Sequence, residues 1–245
     1  MLRALILSPA SALHAQTPSP QVDSATMRAR IAEEDRLRTD WAFLQRYSKM
    51  NAELPPPAPD EKRVVFMGNS ITEMWANHFA TQFPGKPYIN RGIGGQTTPQ
   101  MLVRFKQDVV ALKPRVVVIL AGTNDIAGNT GPSTLAMIED NIASMAEIAK
   151  ANGIRVVLAS VLPVYTYSWR PEILNPADTI IALNAWMREY ARSHGEVYLD
   201  LHSAMKDERN GMREEISTDG VHVNEAGYRL MAPLTVAAIE QALKK

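Results

Sequence analysis

Four short segments carry the residue types that activate an alcohol for attack on a carbonyl. The first, Val64-Val65-Phe66-Met67-Gly68-Asn69-Ser70-Ile71-Thr72-Glu73, is an apolar run broken by glycine, with Ser70 at the mouth of an expected helix. The others are Gly94-Gly95, Gly122-Thr123-Asn124-Asp125 and Asp219-Gly220-Val221-His222. A hydroxyl nucleophile needs a base to take its proton, a group that orients the base, and donors for the oxyanion. Ser70 is the candidate nucleophile, and its own N–H, at a helix N-terminus, is one candidate donor. Gly68 before it suits a sharp turn. Gly95 N–H and the Asn124 carboxamide are the other candidate donors. His222 follows Asp219 by three residues in a loop before the last expected helix. That spacing lets the carboxylate reach the imidazole Nδ1–H while Nε2 faces the serine.

Each segment also has a plainer reading. Ser70-Ile71-Thr72-Glu73 fits a capping box, in which the serine oxygen only satisfies a helix N–H. The Gly94-Gly95 spacing is not that of a dinucleotide-binding loop and fits a tight connection into the next helix. Asn124 suits a turn or a helix cap, Asp125 is assigned to loop structure, and Asp219-Gly220 is an ordinary turn dipeptide. Asp200-Leu201-His202 is a rival acid and base. No His-Glu-x-x-His or similar spacing occurs, so no catalytic metal is expected.

The elements that must position these residues follow from periodicity. Short β-branched runs at 63–67, 88–90, 116–120, 155–159 and 197–200 are expected strands. Helical patterns lie at 71–83, 98–112, 133–152, 178–194 and 225–243, and Gly153 and Gly195 sit where helices end in a left-handed residue. Strand and helix alternate, and the strands are continuously apolar, which implies a parallel sheet covered on both faces. Before it, Ser24 begins an expected helix to about residue 54, with Leu37, Trp41, Leu44 and Tyr47 near one face. Pro55-Pro56-Pro57-Ala58-Pro59 cannot continue that helix and reads as a stiff connector. The expected organisation is a short export signal at 1–15, a helical extension and linker at 16–59, and the main domain at 60–245.

Composition narrows the partners. Across 245 residues, 26 Lys and Arg balance 26 Asp and Glu, so nothing favours a sequence-independent grip on nucleic acid. The absence of cysteine removes disulfides and thiolate nucleophiles. Arg3 before Ala4-Leu5-Ile6-Leu7, with Ala10-Ser11-Ala12 and Ala15-Gln16 as small-residue cleavage candidates, gives the charged start and apolar core of a short or truncated export signal, so the protein is expected in the periplasm or outside the cell; the plainer reading is a ragged terminus on a cytoplasmic protein. No later run has the roughly 18 apolar residues of a membrane span.

In order and in placement at strand ends, the four chemical segments resemble the blocks of the SGNH hydrolases, the group that includes GDSL-type lipases and esterases. The likeness runs from about residue 63 to the C-terminus. Val65-Phe66-Met67-Gly68-Asn69-Ser70 and Asn90-Arg91-Gly92-Ile93-Gly94-Gly95-Gln96-Thr97-Thr98 are most similar to the branch related to platelet-activating-factor acetylhydrolase catalytic subunits. The resemblance implies Ser70 as nucleophile, Asp219 and His222 as acid and base, and Ser70, Gly95 and Asn124 as oxyanion donors. It also implies a flavodoxin-like three-layer α/β/α sandwich whose five parallel strands run in the order 2-1-3-4-5, and ester hydrolysis through an acyl-enzyme with no cofactor. Asn69, Ile71 and Gln96 depart from the common pattern and bear on substrate subclass. The implied substrate is a small-molecule or carbohydrate ester with a short acyl group, acetyl foremost. An aryl or lipid ester hydrolase of the same fold and a non-catalytic glycan-binding module are the alternatives. The aromatic run from Pro163 to Pro171 follows the fourth strand and either overhangs the site or fills the core.

Overall fold

The structure, a computed structural model, describes residues 24–245. The expected export signal at 1–15 lies outside the described residues. The chain divides into two units, Met1–Thr39 and Asp40–Lys245. In the first, α1 (Ser24–Thr39) is laced by the pairs Arg30–Glu34 and Arg36–Glu33 at helical spacing, each a weak contribution to helix stability.

The helix expected to continue to about residue 54 stops at Thr39. Asp40 accepts the N–H groups of Leu44 at 2.7 Å and Gln45 at 3.0 Å, and Phe43 adopts a φ of 54°. A side-chain acceptor that captures backbone N–H groups competes with the helical ladder. Helix resumes as α2 (Ser48–Glu53). Residues 40–59 thus belong to the second unit.

That unit is built on β1 (Val64–Gly68), β2 (Tyr88–Gly92), β3 (Val116–Leu120), β4 (Arg155–Ala159) and β5 (Val197–Leu199). All pair in parallel, in the order β2-β1-β3-β4-β5. The expected helix at 71–83 is broken into α3 (Ser70–Trp75), a 3₁₀ turn and α4 (Phe79–Gln82). After it come α5 (Thr98–Asp108), the short α6 (Thr123–Ile126), α7 (Leu135–Ala151), α8 (Pro176–His194), α9 (His202–Met205) and α10 (Glu225–Leu243).

Alternate strand residues feed two cores. Val65, Met67, Val117, Ile119 and Leu158 pack with Met101 and Phe105 of α5, Ile138, Ile142 and Met145 of α7, and Ile180, Leu183 and Met187 of α8. Val64, Phe66, Val116, Val118 and Leu120 pack with Ile71 and Trp75 of α3 and with Tyr228, Met231 and Ile239 of α10. This is the three-layer sandwich, and each fully buried side chain of this kind contributes about 1.5–3 kcal/mol. Gly153 (φ 70°) and Gly195 (φ 71°) end α7 and α8 in the left-handed region, as the sequence predicts.

Gly68 is needed for a reason other than a sharp turn, since it is absent from the positive-φ glycines. A Cβ there would lie 2.1 Å from Thr72 Oγ1 and 2.8 Å from the Leu120 carbonyl oxygen. Beside it on β2, a Cβ on Gly92 would lie 2.1 Å from Glu73 N and 2.6 Å from Thr72 C. The first turn of α3 therefore rests directly on two strand backbones. Gly92→Ala meets backbone that cannot swing aside, so it should cost about 3 kcal/mol or more, measured by urea denaturation. Gly85→Ala, where nothing lies within 4 Å but φ is 69°, should cost only about 1–2 kcal/mol.

Candidate active site

The strand register decides which loops meet. Gly68 pairs with Gly92 on one side and with Leu120 on the other, so the chain leaves β1, β2 and β3 side by side at the carboxyl edge of the sheet. In such a sheet this edge, where the order reverses between β1 and β3, is where ligands bind. Ser70, Gly95 and Asn124 stand two, three and four residues beyond those aligned ends.

Ser70 is the first residue of α3, yet it does not cap the helix. Asn69 does so, accepting the Ile71 N–H at 3.1 Å, and the capping-box reading of Ser70 and Glu73 is set aside. The Ser70 hydroxyl instead lies 2.9 Å from Nε2 of His222, across 152 positions of chain. His222 Nδ1 lies 2.8 Å from Asp219 Oδ2, while Asp219 Oδ1 accepts the His222 N–H at 2.7 Å and the Val221 N–H at 3.0 Å. Burial pushes the Asp219 carboxyl upward, but the hydrogen bonds from the His222 ring and from the two backbone N–H groups outweigh it. Its pKa therefore lies below the ordinary value. A carboxylate fixed in this way holds the imidazole with Nδ1 protonated and Nε2 turned to the serine.

The turn carrying these two residues organises itself locally. Ser217 Oγ accepts the Gly220 N–H at 2.8 Å and donates to the His222 carbonyl at 2.9 Å, and Gly220 has a φ of 81°. Asn224 then caps α10 through the Gly227 N–H. The Tyr228 hydroxyl donates to the Ile71 carbonyl at 2.7 Å and its ring stacks on Trp75, so the helix after the imidazole is fastened to the helix that starts with the serine.

Gly95 has a φ of 73°, and a Cβ placed there would meet nothing within 4 Å. Its carbonyl accepts from Asn129 Nδ2 at 3.2 Å. Asn124 donates one Nδ2 hydrogen to the Gln96 carbonyl at 2.9 Å, which sets its carboxamide against the Gln96–Thr97 peptide and leaves the second hydrogen for another acceptor. A Cβ on the adjoining Gly94 would lie 3.8 Å from Ser70 Cβ, so this loop borders the serine. As first helical residue, Ser70 keeps an N–H outside the helical ladder. Asp125 is a tie rather than a base. Both carboxylate oxygens lie 3.0 Å from Thr98 N, joining α6 to the start of α5, and burial lifts its pKa to about 6 despite the Thr98 hydrogen bonds.

The rival pair does not form. Asp200 accepts from the N–H and hydroxyl of Ser203 and from Arg188, while His202 is buried, with its pKa lowered chiefly by that burial. The aromatic run splits between its two readings. Tyr167 is buried, with its hydroxyl on Thr123, whereas Trp169 is 41% exposed and its ring faces that of His222 at 6.5 Å and 29°.

Two features of the site escaped the sequence reading. Glu73 Oε2 accepts the Gly94 N–H at 2.8 Å, a contact for which the sequence holds only an ambiguous signal, an acid in a capping position that Asn69 makes redundant. Gln96 is buried, accepting from Arg104 Nε at 2.6 Å and donating to the Ala42 carbonyl at 2.7 Å, which draws residues of the extension into the site's support.

Comparison with known proteins shows the family. The model of the GDSL-like Lipase/Acylhydrolase family matches residues 66–230. An acetylxylan esterase of Xylanibacter ruminicola is 26% identical over 222 residues, 76% of this chain and 45% of that protein. The chain thus spans under half the length of that relative. The crystal structure of a GDSL-like lipase from Bacteroides thetaiotaomicron is 45% identical, with a TM-score of 0.81 over 83% of this chain and 100% of that one. An acetylxylan esterase structure from Geobacillus stearothermophilus, 18% identical with a TM-score of 0.59 over 76% of this chain and 95% of that one, shares the fold. Matched by that family model over more than half of its length, the chain belongs to the GDSL-like lipase/acylhydrolase family.

Proposed function

We propose that the protein is a serine esterase that removes short acyl groups, acetyl foremost, from carbohydrate esters. The observation that carries this reading is the continuous chain from Ser70 Oγ through the His222 ring to Asp219, with contacts of 2.9 and 2.8 Å. In this reading His222 Nε2 takes the Ser70 proton as the oxygen attacks the ester carbonyl, and Asp219 stabilises the imidazolium. The oxyanion is received by Ser70 N–H, Gly95 N–H and the second Nδ2 hydrogen of Asn124. His222 then protonates the departing alcohol, leaving Ser70 acylated, and the same imidazole activates water to release the acid. Every proton in this cycle is carried by His222, and no cofactor enters.

Two features favour a bulky alcohol half of the ester. The side chains of Asp219 and His222 are 41% and 27% exposed, so the alcohol, which leaves on the His222 side, meets solvent rather than a closed pocket. Trp169 stands on that side, an exposed ring of the kind that stacks on the apolar face of a sugar. The similarity to acetylxylan esterases points the same way.

Ser70→Ala and His222→Ala should each lower kcat on p-nitrophenyl acetate by on the order of 10⁴-fold or more. Asn124→Ala should cost about 100- to 1000-fold, as the loss of one oxyanion donor. His202→Ala should leave most of the activity. Near wild-type turnover by Ser70→Ala would refute the assignment.

In a series of p-nitrophenyl esters, kcat/KM should fall about tenfold or more from acetyl to octanoyl. Acetylated xylo-oligosaccharides should release acetate, detected by chromatography. A preference for the octanoyl ester would instead identify a lipid ester hydrolase.

A further inference from the structure

The loop that carries Gly95 is held by side chains outside the proposed reacting set, and the contacts converge on Glu73. Its Oε2 accepts the Gly94 N–H at 2.8 Å, and its Oε1 accepts from Arg46 Nη2 at 2.9 Å. Arg46 lies in the segment between α1 and α2, which is itself tied to the surroundings of the loop. The carbonyls of Trp41, Ala42 and Leu44 each accept a glutamine side chain at 2.7 Å, from Gln100, Gln96 and Gln107 in turn. The Tyr47 hydroxyl donates to the Gly92 carbonyl.

Gly94 and Gly95 have no side chains to anchor them, and Gly95 is at a φ of 73°. Without an external tether their two peptide planes would rotate among several orientations, and a donor that must reorient at the moment of reaction loses much of its value. On the far side the loop is held by Asn129 on the Gly95 carbonyl and by Asn124 on the Gln96 carbonyl. On the near side the Gly94 N–H is bonded to Glu73. The carboxylate brings a cost, because a negative charge beside Gly94 opposes a developing oxyanion. The Arg46 guanidinium on its other oxygen offsets that charge. The Arg46 and Glu73 side chains are 43% and 32% exposed, and an ion pair so exposed contributes little to folding. Its effect should therefore be felt in the loop rather than in global stability.

Resting on the esterase reading above, we propose that Glu73 is a positioning residue. By accepting the Gly94 N–H, with Arg46 neutralising its charge, it aims the Gly95 N–H at the oxyanion. The serine segment then has two functions three residues apart in helix α3, a nucleophile at its start and a clamp on the neighbouring loop one turn later.

The test is steady-state kinetics on p-nitrophenyl acetate for wild type, Glu73→Ala, Glu73→Gln and Arg46→Ala, with thermal melts. Glu73→Ala should lower kcat about 10- to 100-fold with KM changed less than about twofold, because a donor effective in the transition state is lost and ground-state binding is not. Glu73→Gln keeps an acceptor for the Gly94 N–H without the charge and should restore kcat to within about threefold of wild type. Arg46→Ala should fall between wild type and Glu73→Ala, with an unchanged melting temperature. The proposal is overturned if Glu73→Ala keeps kcat within twofold, if its loss lies in KM, or if Glu73→Gln is as impaired as Glu73→Ala. Should Glu73→Ala not fold, Arg46→Ala decides, and a kcat within twofold of wild type overturns the proposal. The esterase reading fails separately, if wild type neither turns over acetyl esters nor labels at Ser70 with a fluorophosphonate.

Discussion

Two missing Cβ atoms set the geometry of this protein. Gly68 and Gly92 are paired across β1 and β2, and at each of them a side chain would collide with the first turn of α3 at 2.1 Å. Because neither is present, α3 starts flush against the sheet edge instead of being held off by a side-chain layer. Ser70 is then brought beside Gly94, and the loop after β2 can close over the serine. The polar network beneath depends on the same approach. Arg104, buried in α5, donates to the Gly68 carbonyl at 3.1 Å, to Gln96 and to Asp108. A guanidinium so placed is tolerable only when its donors are met by fixed acceptors, and one of those acceptors is the carbonyl that ends β1.

Most of the fold was legible because its signals are local. The central strands β1 and β3 are apolar and buried on both faces, which is the mark of a covered parallel sheet, and all five strands fall within two residues of the expected limits. The long-range part, the meeting of Ser70 and His222 across 152 positions, could be read from order and resemblance but not from periodicity. What periodicity misread was the extension. Helical spacing from residue 24 to about 54 is real, but Asp40 captures the N–H groups of Leu44 and Gln45 and turns the chain. Aspartate is an unremarkable helix residue by composition, and only the tertiary contacts of the following residues reward the turn. Gln96 was legible as a departure from pattern and illegible as a cause. Its partners, Arg104 and the Ala42 carbonyl, lie 8 and 54 positions away.

The two halves of the site are stabilised by different means. The serine and its neighbouring loops leave the sheet at paired strand ends, so their relative positions are set by backbone hydrogen bonds and buried cores on both faces. The imidazole and its carboxylate sit on a turn ordered by its own side chains, Ser217 and Asp219, and joined to the rest by the start of α10. Such a turn can be correct in itself and yet misplaced as a body. The Tyr228 hydroxyl on the Ile71 carbonyl, with its ring against Trp75, is what prevents that.

Exposure of the carboxylate then has a physical consequence. Attraction between Asp219 and an imidazolium is weaker at a wet edge than in a sealed interior, since the effective dielectric is higher. The fixed geometry of the turn makes up part of that difference. Asp219 accepts two backbone N–H groups on one oxygen and the ring on the other, so it has no rotation to lose when the imidazole becomes charged. A wet edge also gives room for the alcohol half of a large ester. In this arrangement, breadth of substrate access and strength of charge stabilisation are opposed, and local hydrogen bonding is the means by which the turn keeps a share of both.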